Sequence, residues 1–165
     1  MRTLLRTFPH LRPLAAVLVV WGVLAPAITA QGRQLNPAGR QDIAFGTLFP
    51  GVPTTISSTD ALNAGQFEVR GQRNSEVRID FVLPASLATG SFTLPLLFTA
   101  GDGSFSTTGS LAGATSFDPR VPLVARLSSN GRLYLFLGGT VLPGSQQASG
   151  SYSGTVTINA AYTGN

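Results

Sequence analysis

The chain has 165 residues, with eleven basic residues that are all arginine and seven carboxylates, so its formal net charge is +4. Its single histidine, tryptophan and methionine all precede residue 31, and it contains no cysteine and no lysine. From residue 31 onward the chain therefore lacks the side chains of Ser-His, Cys-His and Schiff-base catalysis, and the usual ligands of zinc, haem and iron–sulfur clusters. We expect no catalytic residue, no metal, no cofactor and no enzymatic activity.

The first thirty residues have the three parts of a secretory signal peptide. Three arginines give a positive start, residues 14–24 form an uncharged apolar core, and small residues lead up to Ala30. We predict cleavage between Ala30 and Gln31, with Ala27 as the alternative. An uncleaved anchor is the other interpretation, but a membrane span needs roughly 20 apolar residues and Pro26 interrupts this run. We expect no stable membrane span after cleavage, and a secreted, periplasmic or cell-surface location.

The charge of the remaining chain is nearly balanced. Residues 31–165 contain eight arginines and seven carboxylates, for a net charge of +1, and no run of basic residues. A basic patch or stripe is the footprint of a nucleic-acid-binding protein. We therefore expect no nucleic-acid partner.

The polar stretch at residues 31–41 predicts a flexible lead-in, followed by a single domain over residues 42–165. Within this domain apolar residues recur at every second position, which predicts strands rather than helices. The first predicted strand covers residues 42–48, with Ile43 and Phe45 on one face.

The same alternation continues at residues 66–70, 76–84 and 91–99. It is clearest in the second of these, where one face points to a core and the other to water. Glu76 and Asp80 lie on its polar face, about 13 Å apart along an extended strand. A glycosidase pair needs a separation of roughly 5–10 Å, so these two carboxylates indicate a solvated strand face.

Asn130-Gly131 stands between apolar runs at residues 121–127 and 132–137. This dipeptide predicts a β-hairpin, because both central positions of its turn favour positive φ. A last strand is predicted over residues 151–162. About eight strands with regular turn signals predict an all-β fold, an antiparallel two-sheet β-sandwich.

Three segments carry a further pattern. They are Ile43-Ala44-Phe45-Gly46-Thr47-Leu48 with Pro50-Gly51, then residues 64–71 leading into residues 77–84, and residues 137–141 with residues 147–158 up to Tyr162. In this order they resemble the bacterial secreted domain of unknown function 4402 family, which is similar to spore coat protein U-like and chaperone–usher pilin subunits. The resemblance covers nearly all of residues 42–162.

This resemblance implies an immunoglobulin-like sandwich at the cell surface. Pilin-type relatives lack one strand, and a partner strand fills the gap by β-augmentation. The implied partners are a periplasmic chaperone or like subunits. The candidate strand-assembly face is then Tyr152, Val156, Ile158 and Tyr162 on the last strand. The last strand of a complete sandwich has the same pattern, and both interpretations stay open.

A strand donor needs alternating bulky apolar residues near its N-terminus. Residues 31–41 offer only Leu35, Pro37 and Ala38. We therefore expect the chain to receive a strand, to cap a fibre or to stand alone as a monomer.

Three functional hypotheses follow from these observations. The first is a non-enzymatic exported surface protein, a structural or adhesive subunit of the fimbrial or pilin-like kind. The alternative is a stand-alone extracellular binding module, for instance for a glycan, with Tyr134 and Phe136 as an aromatic platform. A hydrolase that depends on Asp80 is a third hypothesis.

Overall fold

The computed structural model describes residues 32–164, which contain twelve β-strands and no helix. The predicted signal peptide at residues 1–30, with its cleavage between Ala30 and Gln31, lies outside the described residues. In the described part of the chain, no helix has the length and apolarity to span a membrane. In chain order the strands are β1 (Asn36–Gln41), β2 (Thr54–Ile56), β3 (Gly65–Arg70), β4 (Glu76–Val82), β5 (Ser86–Thr89), β6 (Phe92–Leu97), β7 (Gly103–Ser106), β8 (Thr115–Phe117), β9 (Leu123–Arg126), β10 (Arg132–Leu137), β11 (Gly139–Val141) and β12 (Thr157–Tyr162).

Hydrogen bonds join these strands into three antiparallel sheets. The five-stranded sheet has the order β1-β3-β10-β7-β8, the four-stranded sheet β2-β11-β6-β5, and the three-stranded sheet β12-β4-β9. The predicted all-β, antiparallel sandwich is confirmed. The structure has twelve strands where the sequence pattern predicts about eight. Several of them are only three residues long.

The first core lies between the five-stranded and the three-stranded sheets. Val69, Leu133 and Leu135 face it from β3 and β10, and Val77 and Ile79 face it from β4. All five side chains are fully buried, and burying each contributes about 1.5–3 kcal/mol. The alternation of apolar residues at period two therefore sets this core as the sequence predicts.

The second core is built on β6, β11 and the end of β10. Its buried members are Leu94, Leu96, Phe98, Leu137 and Val141. Partly buried apolar residues from segments outside the strands pack against it. This core therefore lies where regular strand pairing gives way to irregular chain.

Residues 31–41 were predicted to be a flexible lead-in, and this prediction is wrong for residues 36–41. They form β1, which pairs with β3 and carries a bulge at Arg40. Strand pairing uses main-chain groups, so it needs no apolar side chains. Side-chain bonds add to it: Arg40 binds Glu68, and Gln41 donates to two backbone carbonyls.

The Asn130-Gly131 turn forms, but it does not join two paired strands. The Gly131 amide donates to Ser128 O at 2.8 Å, and the Ser128 amide donates to Arg132 O at 2.9 Å. Gly131 has a φ of 70°, whereas Asn130 is not among the residues with positive φ. After the turn the strands diverge, since β9 pairs with β4 while β10 pairs with β3 and β7. The predicted hairpin is therefore a crossing between two sheets.

The chain passes from the five-stranded to the four-stranded sheet at Gly138, between β10 and β11. A Cβ added there would overlap Ile56 O and lie 2.7 Å from Ser58 N. The Gly138 amide also donates to Asp102 O at 2.7 Å. Backbone approaches Gly138 so closely that a side chain has no space.

We expect Gly138→Ala to lower the free energy of unfolding by about 2 kcal/mol, because overpacking against backbone atoms forces the main chain to shift. Chemical denaturation measures this loss. Gly39→Ala is the control, since a Cβ added at Gly39 meets nothing within 4 Å, and it should stay within about 0.5 kcal/mol of the parent protein. Equal losses in the two variants would contradict the close approach at Gly138.

Candidate functional site

Two segments with strand-like sequences lie outside the strands of the structure. Residues 42–48 were predicted as a strand, and residues 151–156 as the first half of the last strand, yet β12 begins only at Thr157. Within the described chain, residues 45–48 and 154–156 make no backbone–backbone hydrogen bonds. Both segments therefore have the alternating apolar residues of a strand, but many of their main-chain groups have no backbone hydrogen-bond partner.

These segments form the two rims of an open groove with a cavity volume of about 1000 Å³. The first rim is residues 42–50 and the second is residues 147–156. The floor between them includes Leu94 and Leu96 of the second core and Phe67 of β3. The groove is therefore an opening into the core of the sandwich.

The first rim directs three half-buried side chains, Ile43, Phe45 and Leu48, at the second core. The spacing along the chain changes from two residues to three between Phe45 and Leu48, because Gly46 has a φ of 67°, a left-handed conformation that favours glycine. Asp42, at the start of this rim, is the only charged residue among those that line the groove. The groove is therefore suited to an uncharged, apolar occupant.

The two rims run in opposite directions. At one end, the Gly51 amide donates to Gly144 O at 3.0 Å, which joins the end of the first rim to the start of the second. At the other end, the Tyr162 hydroxyl donates to Arg33 O, which joins the chain before the first rim to the chain after the second. An extended chain between the rims would therefore be parallel to one and antiparallel to the other.

The second rim is attached to the rest of the domain at few points. Ser153 forms an isolated bridge with Ala88 of β5, with N–O distances of 2.8 and 3.0 Å. The Tyr152 hydroxyl donates to Ala148 O at 2.8 Å and accepts a hydrogen bond from Gln147 Nε2 at 2.6 Å. These bonds hold the rim in place while most of its main-chain groups stay unpaired.

The structure divides the four residues of the predicted strand-assembly face into two pairs. Tyr152 and Val156 line the groove and pack on the second core. Ile158 and Tyr162 lie on β12 and pack on the first core. All four side chains are half-buried and inward-facing. Their role in strand assembly stays a prediction, and only the first pair lies at the groove.

Sequence reasoning identified the apolar residues of the first rim and of the floor, but not the site that they form. Ile43 and Phe45 were predicted on one face of a strand, and Leu94 and Leu96 belong to the alternating segment predicted at residues 91–99. Nothing within either segment shows whether a neighbouring strand exists to pair with it. The groove is visible only once every other strand has been assigned its partner.

The predicted aromatic platform on β10 does not form. Phe136 is only 4 % exposed, so its ring is buried rather than presented to the solvent. Tyr134 is half-buried, and a Cβ added at Gly109 would lie 3.2 Å from its ring. The two rings therefore do not provide an exposed stacking surface.

The carboxylates considered for hydrolysis have local partners. Asp80 binds Arg78, with Nε and Oδ2 3.1 Å apart, and Glu76 accepts a hydrogen bond from the Thr163 hydroxyl at 2.8 Å. Among residues 32–164, no group of three or more His, Cys, Asp or Glu side chains is placed to hold a metal ion.

Comparison with known proteins gives one family. Its sequence model, described as domain of unknown function (DUF4402), matches residues 21–162. The match covers most of the chain, so the chain belongs to this family. No curated protein matches the chain.

Proposed function

We propose that this member of the DUF4402 family is an exported, non-enzymatic surface protein, a structural or adhesive subunit that receives a β-strand from a partner chain. One observation carries the proposal: two strand-patterned segments without partner strands face each other across an apolar groove. The similarity to spore coat protein U-like and chaperone–usher pilin subunits belongs to this proposal, since strand addition is how such subunits assemble.

Most main-chain groups of the two rims have no backbone partner in the described domain. Unpaired N–H and C=O groups beside apolar surface are a template for pairing with another chain. A strand laid along residues 42–50 would contain about nine residues and span about 30 Å. Every second side chain of that strand would point at Leu94 and Leu96 on the floor. The added strand would thus form main-chain hydrogen bonds with the rim and bury its apolar side chains on the floor at the same time.

The receiving role is favoured over the donating role. Residues 36–41 pair with β3 of their own domain, so they are not free to enter the groove of another copy. The partner is therefore a periplasmic chaperone or another subunit with a suitable strand. The pattern of residues 1–30 supports export to the compartment where such partners occur.

The solution mass of the protein tests this proposal. We expect protein purified from the periplasm of cells that express the full chain to elute as polymers or as a complex with a second protein. Size exclusion with light scattering gives the mass. A stable monomer that binds no strand would contradict the proposal.

A pair of variants shows whether the groove is responsible for assembly. Phe45→Glu places a charge in the apolar groove, so we expect it to shift the protein toward monomer. Val52→Glu is the matched control, since Val52 is 52 % exposed and does not line the groove. A thermal melt confirms that both variants are folded. The same loss of assembly in both would exclude the groove as the assembly site.

A further inference from the structure

Three arginine side chains converge on one buried carboxylate on the outer face of the five-stranded sheet. The Glu68 side chain on β3 is 3 % exposed. Arg70 binds it through two hydrogen bonds, from Nε to Oε1 at 2.8 Å and from Nη2 to Oε2 at 3.0 Å. Arg40 donates from Nε to Oε2 at 2.9 Å, and Arg132 Nη1 lies 3.5 Å from Oε1. We call Arg40, Arg70 and Arg132, with Glu68, the arginine patch.

The register of the sheet creates this patch. Glu68 and Arg70 share one face of β3, and pairing with β10 places Arg132 directly opposite Arg70. Like charges directly opposite each other destabilise an antiparallel pair. One carboxylate shared by three arginines relieves this repulsion only in part, so an added anion would lower the electrostatic energy further.

The patch holds the positive charge surplus of the described domain. Three arginines against one carboxylate leave two positive charges, while the rest of residues 32–164 contains five arginines and six carboxylates. The three arginine side chains are 41–46 % exposed. Each guanidinium has five N–H donors, and Glu68 accepts two hydrogen bonds from each of Arg40 and Arg70, so each of these guanidinium groups has three donors that Glu68 does not use.

The surroundings of the patch narrow the class of ligand. A nucleic acid or an anionic membrane presents many charges and needs a wider basic surface, whereas the rest of the described domain has a slight acidic excess. Peptide partners are held by apolar anchors, and none of the exposed large apolar side chains of the described chain lies on β1, β3 or β10. A ligand with isolated acidic groups and no large apolar anchor fits these surroundings best.

Two contacts indicate the chemistry of recognition. The guanidinium of Arg70 already holds a carboxylate through two parallel bonds, which is the geometry that arginine favours for this group. The hydroxyl of Tyr134, opposite Glu68 on β10, accepts a hydrogen bond from Arg132 Nη1 at 3.3 Å. Its own O–H is then available to donate to a sugar hydroxyl.

We propose that the arginine patch, together with Tyr134, binds the carboxylate of an acidic oligosaccharide built from uronic acid units. This site lies on the outer face of the five-stranded sheet, and it does not depend on strand binding in the groove.

Titration calorimetry on the protein purified from the periplasm tests this site. The probe is oligogalacturonate, and its fully methyl-esterified form is the matched ligand without charge. We expect binding of the acid alone, weakened about tenfold or more by Arg132→Gln, because one charge-assisted hydrogen bond is lost. Arg78→Gln is the control, since Arg78 lies on β4 and pairs with Asp80, and it should bind as the parent protein does.

Three results would overturn the inference. The first is equal affinity for the acid and its methyl ester, and the second is the same loss in Arg78→Gln as in Arg132→Gln. The third is Arg132-dependent binding of duplex DNA or of phosphatidylserine vesicles as tight as that of oligogalacturonate. None of these results bears on assembly through the groove, because the variants leave its lining unchanged.

Discussion

A peptide of about nine residues with valine or isoleucine at alternate positions is expected to raise the melting temperature of the protein by about 10 °C. The peptide would lie between the rims at residues 42–50 and 147–156, with its apolar side chains on Leu94 and Leu96. At one hundred times its dissociation constant, a ligand that binds only the folded state stabilises it by about 2.7 kcal/mol. Refolding the protein with the peptide present ensures that no other strand occupies the groove.

The control peptide has the same composition with its apolar residues placed side by side. Such a peptide cannot direct all of them at the floor, because successive side chains of a strand point to opposite faces. Differential scanning fluorimetry of the parent protein, Phe45→Glu and Val52→Glu completes the comparison. Equal shifts with both peptides, or an undiminished shift in Phe45→Glu, would show that the groove is not the binding site.

Part of the fold can be predicted from the sequence, because the alternation of apolar residues shows which face of a strand is buried. The groove cannot be predicted in this way, because it depends on which strands pair. At residues 76–84 the alternation gives the inward face of β4 correctly, since Val77 and Ile79 are fully buried. The same alternation at residues 42–48 yields no strand, because no neighbouring strand is there to pair with it. Alternation is a property of one segment, whereas pairing is a property of two. A site that forms where a partner strand is missing therefore cannot be recognised from the sequence of either segment alone.

β1 shows the reverse case. Residues 36–41 have almost no apolar alternation, yet they pair with β3 along their length. Main-chain bonds and the contact of Arg40 with Glu68, 28 residues away in sequence, hold this strand in place. The same long-range contact places Arg40 in the arginine patch. Charged residues distant in sequence thus form a cluster that no local pattern predicts.

Glu68→Gln is expected to lower the free energy of unfolding by about 3 kcal/mol at neutral pH. The substitution keeps the shape of the side chain but removes the only charge that offsets three arginines. Removing one partner of a buried ion pair costs about 3–5 kcal/mol, and the lower end applies because the arginines remain partly exposed to water. Asp80→Asn is the control, since both partners of the Arg78–Asp80 pair are exposed and such pairs contribute little.

The pH dependence of the difference in unfolding free energy between the parent protein and Glu68→Gln shows whether the charge of Glu68 causes it. The hydrogen bond from Arg70, followed by that from Arg40, holds the pKa of Glu68 below its ordinary value of 4.5, although burial acts in the opposite direction. A lowered pKa in the folded state means that the stabilisation is fully present above the ordinary value and is lost as the pH falls through the folded value. The gap between the parent protein and Glu68→Gln should therefore be constant from pH 7 to about 5.5 and narrow below about 4.5.

Urea unfolding of both proteins at each pH measures this gap, in which the contributions of all other carboxylates cancel. A gap that stays constant down to pH 3 would assign the loss to packing rather than to the charge of Glu68.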